Sequence, residues 1–296
     1  MHKRALLFGL LSACLASSGE RVAAPAKPAT DLSGLLEEAA RDARACELER
    51  ARSKYESARQ VCGACEPAMQ VELELLRVEL ALLEGQPLDV TLASSLQLGN
   101  ALEAAHPIDA AHLFAELGRW QSPQLFERAA QALERTPVSP RRSAHEVLWI
   151  VASDPDFVQH SEIGRSWAAR YELGSYHWQA PGSSAAPDDR YVPGACRSGS
   201  PRIASIADAD QQFSSKRIVF GKCFGDATFN ALPSQRELST VLVRVVVDQS
   251  GAVTRFDAHG AFTPPTLLQC LGDSLRNAHW DPEPQGAIGE AYINYL

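Results

Sequence analysis

Cysteines are the residues of this chain whose type and spacing are best suited to chemistry. Cys62 and Cys65 have the two-residue spacing of redox-active dithiols, in which a helix N-terminus can lower the pKa of a thiol. No strand–helix–strand order surrounds them, so the pattern favours a structural disulfide at a helix turn, with a periplasmic thiol–disulfide function as the alternative. Glu66 stands where a c-type haem motif requires histidine, which excludes haem attachment here.

Other catalytic patterns are missing from the sequence. The histidines are scattered, and none lies in an HExxH motif or a tight pair with cysteine. There is no Gly-x-Ser-x-Gly elbow and no glycine-rich phosphate loop. We therefore expect a protein that is not an enzyme, with no metal and no cofactor.

The N-terminus has the features of a secretory signal peptide. A basic lead is followed by an apolar run over residues 5–11, which is too short to cross a bilayer as a helix. The motif LSAC, which ends at Cys14, resembles the bacterial lipobox, in which the cysteine is lipidated and the chain is cut before it. This resemblance implies a signal peptide over residues 1–13 and a mature protein held to a membrane by acyl chains. Residues 14–30 are rich in Ala, Ser and Pro and predict a flexible tether.

The residue after the lipidated cysteine indicates where the protein is sorted. Leu15 rather than Asp at this position favours the outer membrane, facing the periplasm. The formal charge of the 296-residue chain is −8, and it becomes −10 when the two basic residues of the signal peptide are removed. An acidic protein repels phosphate backbones, so nucleic acid is excluded as a partner.

The cysteine count agrees with export. The chain has seven cysteines, and six remain if Cys14 carries lipid. An even number in an oxidising compartment predicts disulfides, although six cysteines allow about 15 connectivities. Residues 31–60 contain no proline and predict one long helix. Cys46 and Cys62 would then lie roughly 24 Å apart, too far to pair unless that helix breaks. Cys62 and Cys65 can close on each other in their turn.

The organisation of the chain is predicted from its periodicity. Residues 31–172 have the amphipathic spacing of helices with short Pro- or Gly-marked joints, which predicts an all-α array of helical hairpins. In residues 174–201, thirteen of the 28 residues are Gly, Pro or Ser, so residues 173–201 are predicted as a linker. Residues 202–296 alternate like strands around one amphipathic helix, in the order strand, strand, helix, strand. The predicted fold class is α+β, multidomain.

The C-terminal segment resembles a known family. "VLVRVVVDQSGAVTRF", "LLQCLGDSLRNAHWDPEP" and "GEAYINYL" together are similar to the TonB C-terminal-like family, with the AgmX/PglI C-terminal domains of myxobacterial envelope proteins as the nearest branch. The resemblance covers about the last 75 residues. In that branch two cysteines accompany the pattern, which here implies a disulfide between Cys223 and Cys270. Cys46 and Cys196 would then be left over as a third pair.

The resemblance also implies a mode of binding. Such a ββαβ unit offers a sheet edge to which a partner can add a strand. The chain departs from TonB proteins because a lipobox and a helical segment replace their membrane helix and spacer, so we do not expect energy transduction. The predicted function is therefore a lipid-anchored, non-enzymatic binding or scaffolding component of an envelope complex, with an unidentified envelope protein as its partner. A second alternative to this function is an adaptor in a TonB-like transport or gliding assembly.

Overall fold

The computed structural model describes residues 32–121, 123–136, 140–183, 194, 196, 204–205, 209–216, 221–224, 240–282 and 287–294. The fold is mostly helical with one mixed sheet, and it belongs to the α+β class, as the sequence predicts. Residues Leu32–Leu296 form one compact unit. The predicted signal peptide, Cys14 and the predicted tether lie outside the described residues.

The first half of the described chain is an array of helices in which consecutive helices pack against each other. Prolines begin many of them, because a proline at the first helical position loses no hydrogen bond. The helices are α1 (Leu32–Arg44), α2 (Leu48–Cys62), α3 (Pro67–Leu83), α4 (Leu88–Leu102), α5 (Pro107–Gln121), α6 (Pro123–Glu134), α7 (Pro140–Ser153), α8 (Pro155–His160) and α9 (Glu162–Arg170).

The prediction of one long helix over residues 31–60 is wrong. Cys46 has a φ of 60°, in the left-handed region, and it stands between α1 and α2. The Cys46 amide donates to the Ala43 carbonyl at 3.0 Å, and the Glu47 amide donates to the Asp42 carbonyl at 2.9 Å. These two bonds are the Schellman pattern that ends helices, usually with glycine in the left-handed position. Since a cysteine occupies that position here, the sequence carried no signal for the break.

The sheet has the strand order β1-β4-β3-β5-β2. The short β2 runs parallel to β5, and the other neighbouring strands are antiparallel. A helix, α11 (Pro265–Arg276), connects β4 to β5, and α10 (Ala209–Ser215) precedes β3. The strands are β1 (Gly174–Gln179), β2 (Ala204–Ser205), β3 (Thr240–Val247), β4 (Val253–Ala261) and β5 (Ala287–Asn294).

Both faces of the central strand β3 are covered by helices. On one face its valines pack against the leucines of α11 and against Trp280, which is fully buried. On the other face α7 packs against β3 and β4, so the helical array and the sheet are in contact. This double cover explains why every residue of β3 is buried, and why its sequence is apolar at nearly every position.

The predicted linker over residues 173–201 begins with a strand. Residues 174–179 form β1, which pairs in antiparallel register with β4 along its whole length. The alternation of polar and aromatic side chains in Ser175-Tyr176-His177-Trp178 is the period of a strand with two unlike faces. The glycine, proline and serine content of the wider segment hid that signal.

Candidate functional site

The outer edge of β1 is one edge of the sheet, and the residues of β1 alternate between partly buried and exposed. The Ala180 amide donates to the Thr254 carbonyl at 2.9 Å, which defines the hydrogen-bonded pairs between β1 and β4. Since hydrogen-bonded pairs alternate along an antiparallel ladder, Ser175, His177 and Gln179 direct their N–H and C=O groups away from β4. Among the described residues no strand pairs with this side of β1. We call these three residues the β1 edge.

The β1 edge carries none of the devices that normally keep sheet edges from pairing. Natural edge strands are protected by charged residues, prolines or bulges. Residues 174–179 have the sequence GSYHWQ, with no charged residue and no proline, although 22% of the chain is charged. The strand pairs with β4 without a register shift. Within the described part of the chain, the β1 edge is therefore unpaired in its backbone, and β1 has no Asp, Glu, Lys, Arg or Pro that would hinder another strand.

One face of β1 is held firmly against α11. Tyr176 and Trp178 pack into the core under this helix, and the Tyr176 and Phe256 rings lie 6.1 Å apart. A Cβ atom on Gly272 would come within 2.5 Å of the Tyr176 ring, so the close approach of β1 requires glycine at that position of α11. The Arg276 guanidinium lies 4.8 Å from the Trp178 ring centroid and forms a cation–π contact with it. These contacts hold β1 in place as a rigid template.

The opposite face of β1 carries ionisable side chains. The His177 Nδ1 lies 2.8 Å from the Asp257 Oδ1, and the Arg255 Nε lies 2.7 Å from the other carboxylate oxygen. The His177 and His259 rings are 5.3 Å apart. We call His177, Arg255, Asp257 and His259 the polar cluster. The hydrogen bond between His177 and Asp257 joins β1 to β4 in this cluster, beside the β1 edge.

Burial and the neighbouring groups together shift the pKa values of Asp257 and His259. Burial alone would raise the pKa of Asp257, but the hydrogen bond from His177 and the charge of Arg255 outweigh it and hold the pKa below its ordinary value. Burial and the neighbouring His177 lower the pKa of His259 to about 4. At neutral pH Asp257 is therefore charged and His259 is neutral. Within the described residues no group of three or more His, Cys, Asp or Glu could hold a metal ion.

A second group of ionisable side chains lies among the helices. The ring of His112 on α5 contacts Trp149 of α7, with centroids 3.4 Å apart and planes tilted by 48°. Its Nδ1 is 3.8 Å from the Glu72 carboxylate, too far for a hydrogen bond. Burial and the nearby Glu116 raise the pKa of Glu72 to about 7. Burial and Arg119 lower the pKa of His112 to about 3. The carboxyl group of Glu72 is thus partly protonated near neutral pH, beside a neutral imidazole.

The structure brings all six described cysteines together in three pairs at disulfide distance. The pairs are those that the sequence left as candidates. They join Cys46 to Cys196, Cys62 to Cys65, and Cys223 to Cys270, with Cα–Cα distances of 5.3, 4.8 and 5.7 Å.

The Cys46–Cys196 bond holds the chain beyond β1 to the helical array. Cys196 packs against the core formed by α1, α2 and α3. Two residues earlier, the Gly194 amide donates to the Leu82 carbonyl at the end of α3, at 2.7 Å. A disulfide and a hydrogen bond therefore fix this part of the predicted linker at two neighbouring points.

The surroundings of Cys62 and Cys65 differ from those of a reactive dithiol. Cys62 is the last residue of α2, where the helix dipole disfavours a thiolate, and it is buried. The Cys65 carbonyl accepts a hydrogen bond from the Gln70 side chain at 2.7 Å, which ties the turn to α3. The arrangement suits a bond that closes the α2–α3 turn.

The structure changes the expectation about the sheet edge. The sequence leaves the edges of the predicted ββαβ unit open, but its β4 edge is paired with β1 of the same chain. At the other edge, β2 pairs with Ala287 and Ile288 of β5. Sequence reasoning missed the β1 edge because it placed residues 174–179 in a linker.

The chain has no match among known protein families, characterised proteins or solved structures. None of the helices in the described part of the chain is both long and apolar enough to cross a membrane.

Proposed function

We propose that the protein is a lipid-anchored component of the bacterial cell envelope that binds a partner protein by strand addition at the β1 edge. The observation that carries this proposal is an edge strand without Asp, Glu, Lys or Arg, packed against α11, whose backbone groups at Ser175, His177 and Gln179 face outward. Backbone hydrogen bonds would supply the affinity, and side chains that alternate between the two faces would supply specificity. In this proposal the protein is a binding or scaffolding component and performs no catalysis.

Lipid anchoring rests on the sequence around Cys14 and on the cysteine pairing. The described cysteines are all used in pairs, so Cys14 is the one cysteine of the chain outside them. Acyl chains on its thiol would attach the mature protein to the outer membrane. The substitution Cys14→Ala should abolish incorporation of a labelled fatty acid and release the protein from the membrane fraction. Continued labelling of the variant would contradict the proposal.

The C-terminal unit supports the resemblance to the TonB C-terminal-like family at the level of element order. β3, β4, α11 and β5 follow one another as strand, strand, helix and strand, and the three strands lie in the order β4-β3-β5. In the proposed function β1 extends this unit by one strand. The binding edge is thereby moved from β4 to β1.

A proline substitution tests strand addition directly. Ser175→Pro removes an outward-facing N–H and places a ring on the β1 edge, while the hydrogen bonds to β4 are retained. Ser175→Thr keeps the N–H and is the matched control. A photo-crosslinking residue at Gln179, used in intact envelopes, should form an adduct of defined mass that Ser175→Pro abolishes and Ser175→Thr preserves. An adduct that is unaffected by Ser175→Pro, or no adduct at all, would contradict strand addition.

The thiol–disulfide alternative is less well supported, because the buried Cys62 lies at the C-terminal end of its helix. Thiol labelling of the purified protein under mild reduction distinguishes the two functions. A structural bond between Cys62 and Cys65 predicts no labelling until the protein unfolds. Rapid labelling of both residues in the folded protein would favour the redox function.

A further inference from the structure

The β1 edge is complementary to itself. Its outward-facing residues Ser175, His177 and Gln179 are spaced evenly about His177. If two copies of β1 pair in antiparallel orientation around His177, each His177 faces the other, and each Ser175 faces Gln179 of the other copy. All three positions are then of the hydrogen-bonded type, so every outward N–H and C=O of the β1 edge finds a partner.

The side chains of β1 fit the same register. On the face that packs against α11, Tyr176 of one copy would lie directly opposite Trp178 of the other, at the closer, non-hydrogen-bonded positions. Aromatic residues opposite each other stabilise antiparallel pairs. On the other face Ser175 and Gln179 would form a polar pair. β1 contains no Asp, Glu, Lys or Arg, so pairing places no carboxylate, ammonium or guanidinium group of one β1 opposite another.

We propose that the strand added at the β1 edge is β1 of a second copy of this chain, related by a two-fold axis through His177. This inference rests on the proposed function and names the partner at that same edge. Pairing makes one continuous sheet from the two copies, and such a self-complementary interface closes as a dimer. Attachment of both copies to one membrane raises their effective concentration and favours a contact as short as six residues.

Cysteine crosslinking tests the register. In the proposed dimer the two His177 Cα atoms lie about 5.5 Å apart, within the range that a disulfide spans. The two Ser175 Cα atoms lie four residues apart along the strands, roughly 13 Å, which is too far. In envelopes that contain the full-length chain, H177C should give a disulfide-linked dimer under mild oxidation, and the matched control S175C should give none. Adding Ser175→Pro to H177C should abolish the link.

H177C also removes the contact between His177 and Asp257, so a second variant that keeps His177 is needed. The double variant S175C/Q179C places cysteines directly opposite each other in the proposed register, while either single variant does not. It should form a dimer, and S175C and Q179C alone should remain monomeric. Equal crosslinking of S175C and H177C, or no dimer from H177C and from the double variant, overturns the second-copy proposal.

The experiment separates this inference from the proposed function. If photo-crosslinks from Gln179 reach a protein of a different mass, and the cysteine variants give no dimer, strand addition stands and the second copy is rejected. If neither crosslink forms, both proposals fail together with the assignment of the β1 edge as a binding site.

Discussion

Removing the disulfides one at a time should destabilise the protein more, the longer the loop that each bond closes. In the loop-entropy description a disulfide stabilises the fold by restricting the unfolded chain, and the effect grows with the logarithm of loop length. The sequence separations are 150, 47 and 3 residues. These values correspond to about 5, 4 and 1.6 kcal/mol of unfolding free energy at 25 °C. The variants are C46A/C196A, C223A/C270A and C62A/C65A, in that order.

The short loop provides the internal control for this series. Cys62 and Cys223 are buried to the same extent, each 7% exposed, so the loss of packing is similar in the two variants that remove them. The difference between these variants, about 2.4 kcal/mol, therefore measures loop closure. Urea unfolding followed by far-UV circular dichroism, without reductant and at fixed pH, gives each free energy by linear extrapolation.

Two results would contradict this ranking of the three disulfides. If C62A/C65A loses as much stability as C46A/C196A, chain entropy does not explain the stabilisation. The contacts of the Cys62–Cys65 turn would then dominate, including the hydrogen bond from the Gln70 side chain to the Cys65 carbonyl. A C46A/C196A variant that is as stable as the parent would contradict the loop-entropy description for the 150-residue loop.

Three further substitutions test the packing and the ionisable groups. Gly251→Ala should lower the free energy of unfolding in urea by at least about 2 kcal/mol, because φ is +81° and a Cβ would collide with the Trp280 carbonyl. The control Gly182→Ala, with φ +79° and open space around it, should cost about 1 kcal/mol, and equal losses would refute the collision. Glu72→Gln should stabilise the protein by about 1 kcal/mol at pH 8 and hardly at pH 5, because the folded state disfavours the carboxylate, whose pKa is raised to about 7. The 46% exposure of the Glu72 side chain limits the gain, and a gain that is independent of pH would contradict this explanation. The pKa of His259 is lowered to about 4, so protonation of this residue should contribute up to about 3 kcal/mol to the loss of stability as the pH falls from 6.5 to 4. His259→Gln should therefore lose up to about 3 kcal/mol less than the parent over this range, and parallel curves would contradict a buried, neutral imidazole.

The helical array could be predicted from local signals. Pro67, Pro123 and Pro140 each begin a helix, as their positions before apolar periodic stretches indicate. α8 and α9 are separate helices because Ser161 ends α8 and caps α9 through a 2.7 Å hydrogen bond from the Gly164 amide. Ser161 is a common N-cap residue, so this division was recoverable from the sequence.

The break at Cys46 was not recoverable. A left-handed helix end is signalled by glycine or asparagine, and cysteine is neither. Here the conformation is maintained by the two amide hydrogen bonds that close α1 and by the disulfide to Cys196, a residue 150 positions away. A disulfide between residues so far apart in the chain produces no periodic pattern in the sequence around either cysteine.

The candidate site was only partly predictable. Strand addition at the C-terminal sheet was expected, but the strand that carries the free edge lies in a segment dominated by turn residues. The polar cluster could not be predicted from the sequence. Asp257 and His259 lie on β4, whereas His177 lies on β1, 80 residues before Asp257. Their meeting depends on the antiparallel register of two strands, which no local pattern encodes.

The nesting of the disulfides has a consequence for export. If the chain is exported as proposed, its cysteines enter the periplasm in chain order, and oxidation of each newly arrived thiol with the one before it would join Cys46 to Cys62. The native pattern instead keeps Cys46 for Cys196, with the Cys62–Cys65 bond inside the ring that they close. α2, which begins two residues after Cys46 and ends at Cys62, holds these two sulfurs roughly 20 Å apart once it forms. In an oxidising compartment, early folding of α2 would therefore prevent a bond between Cys46 and Cys62.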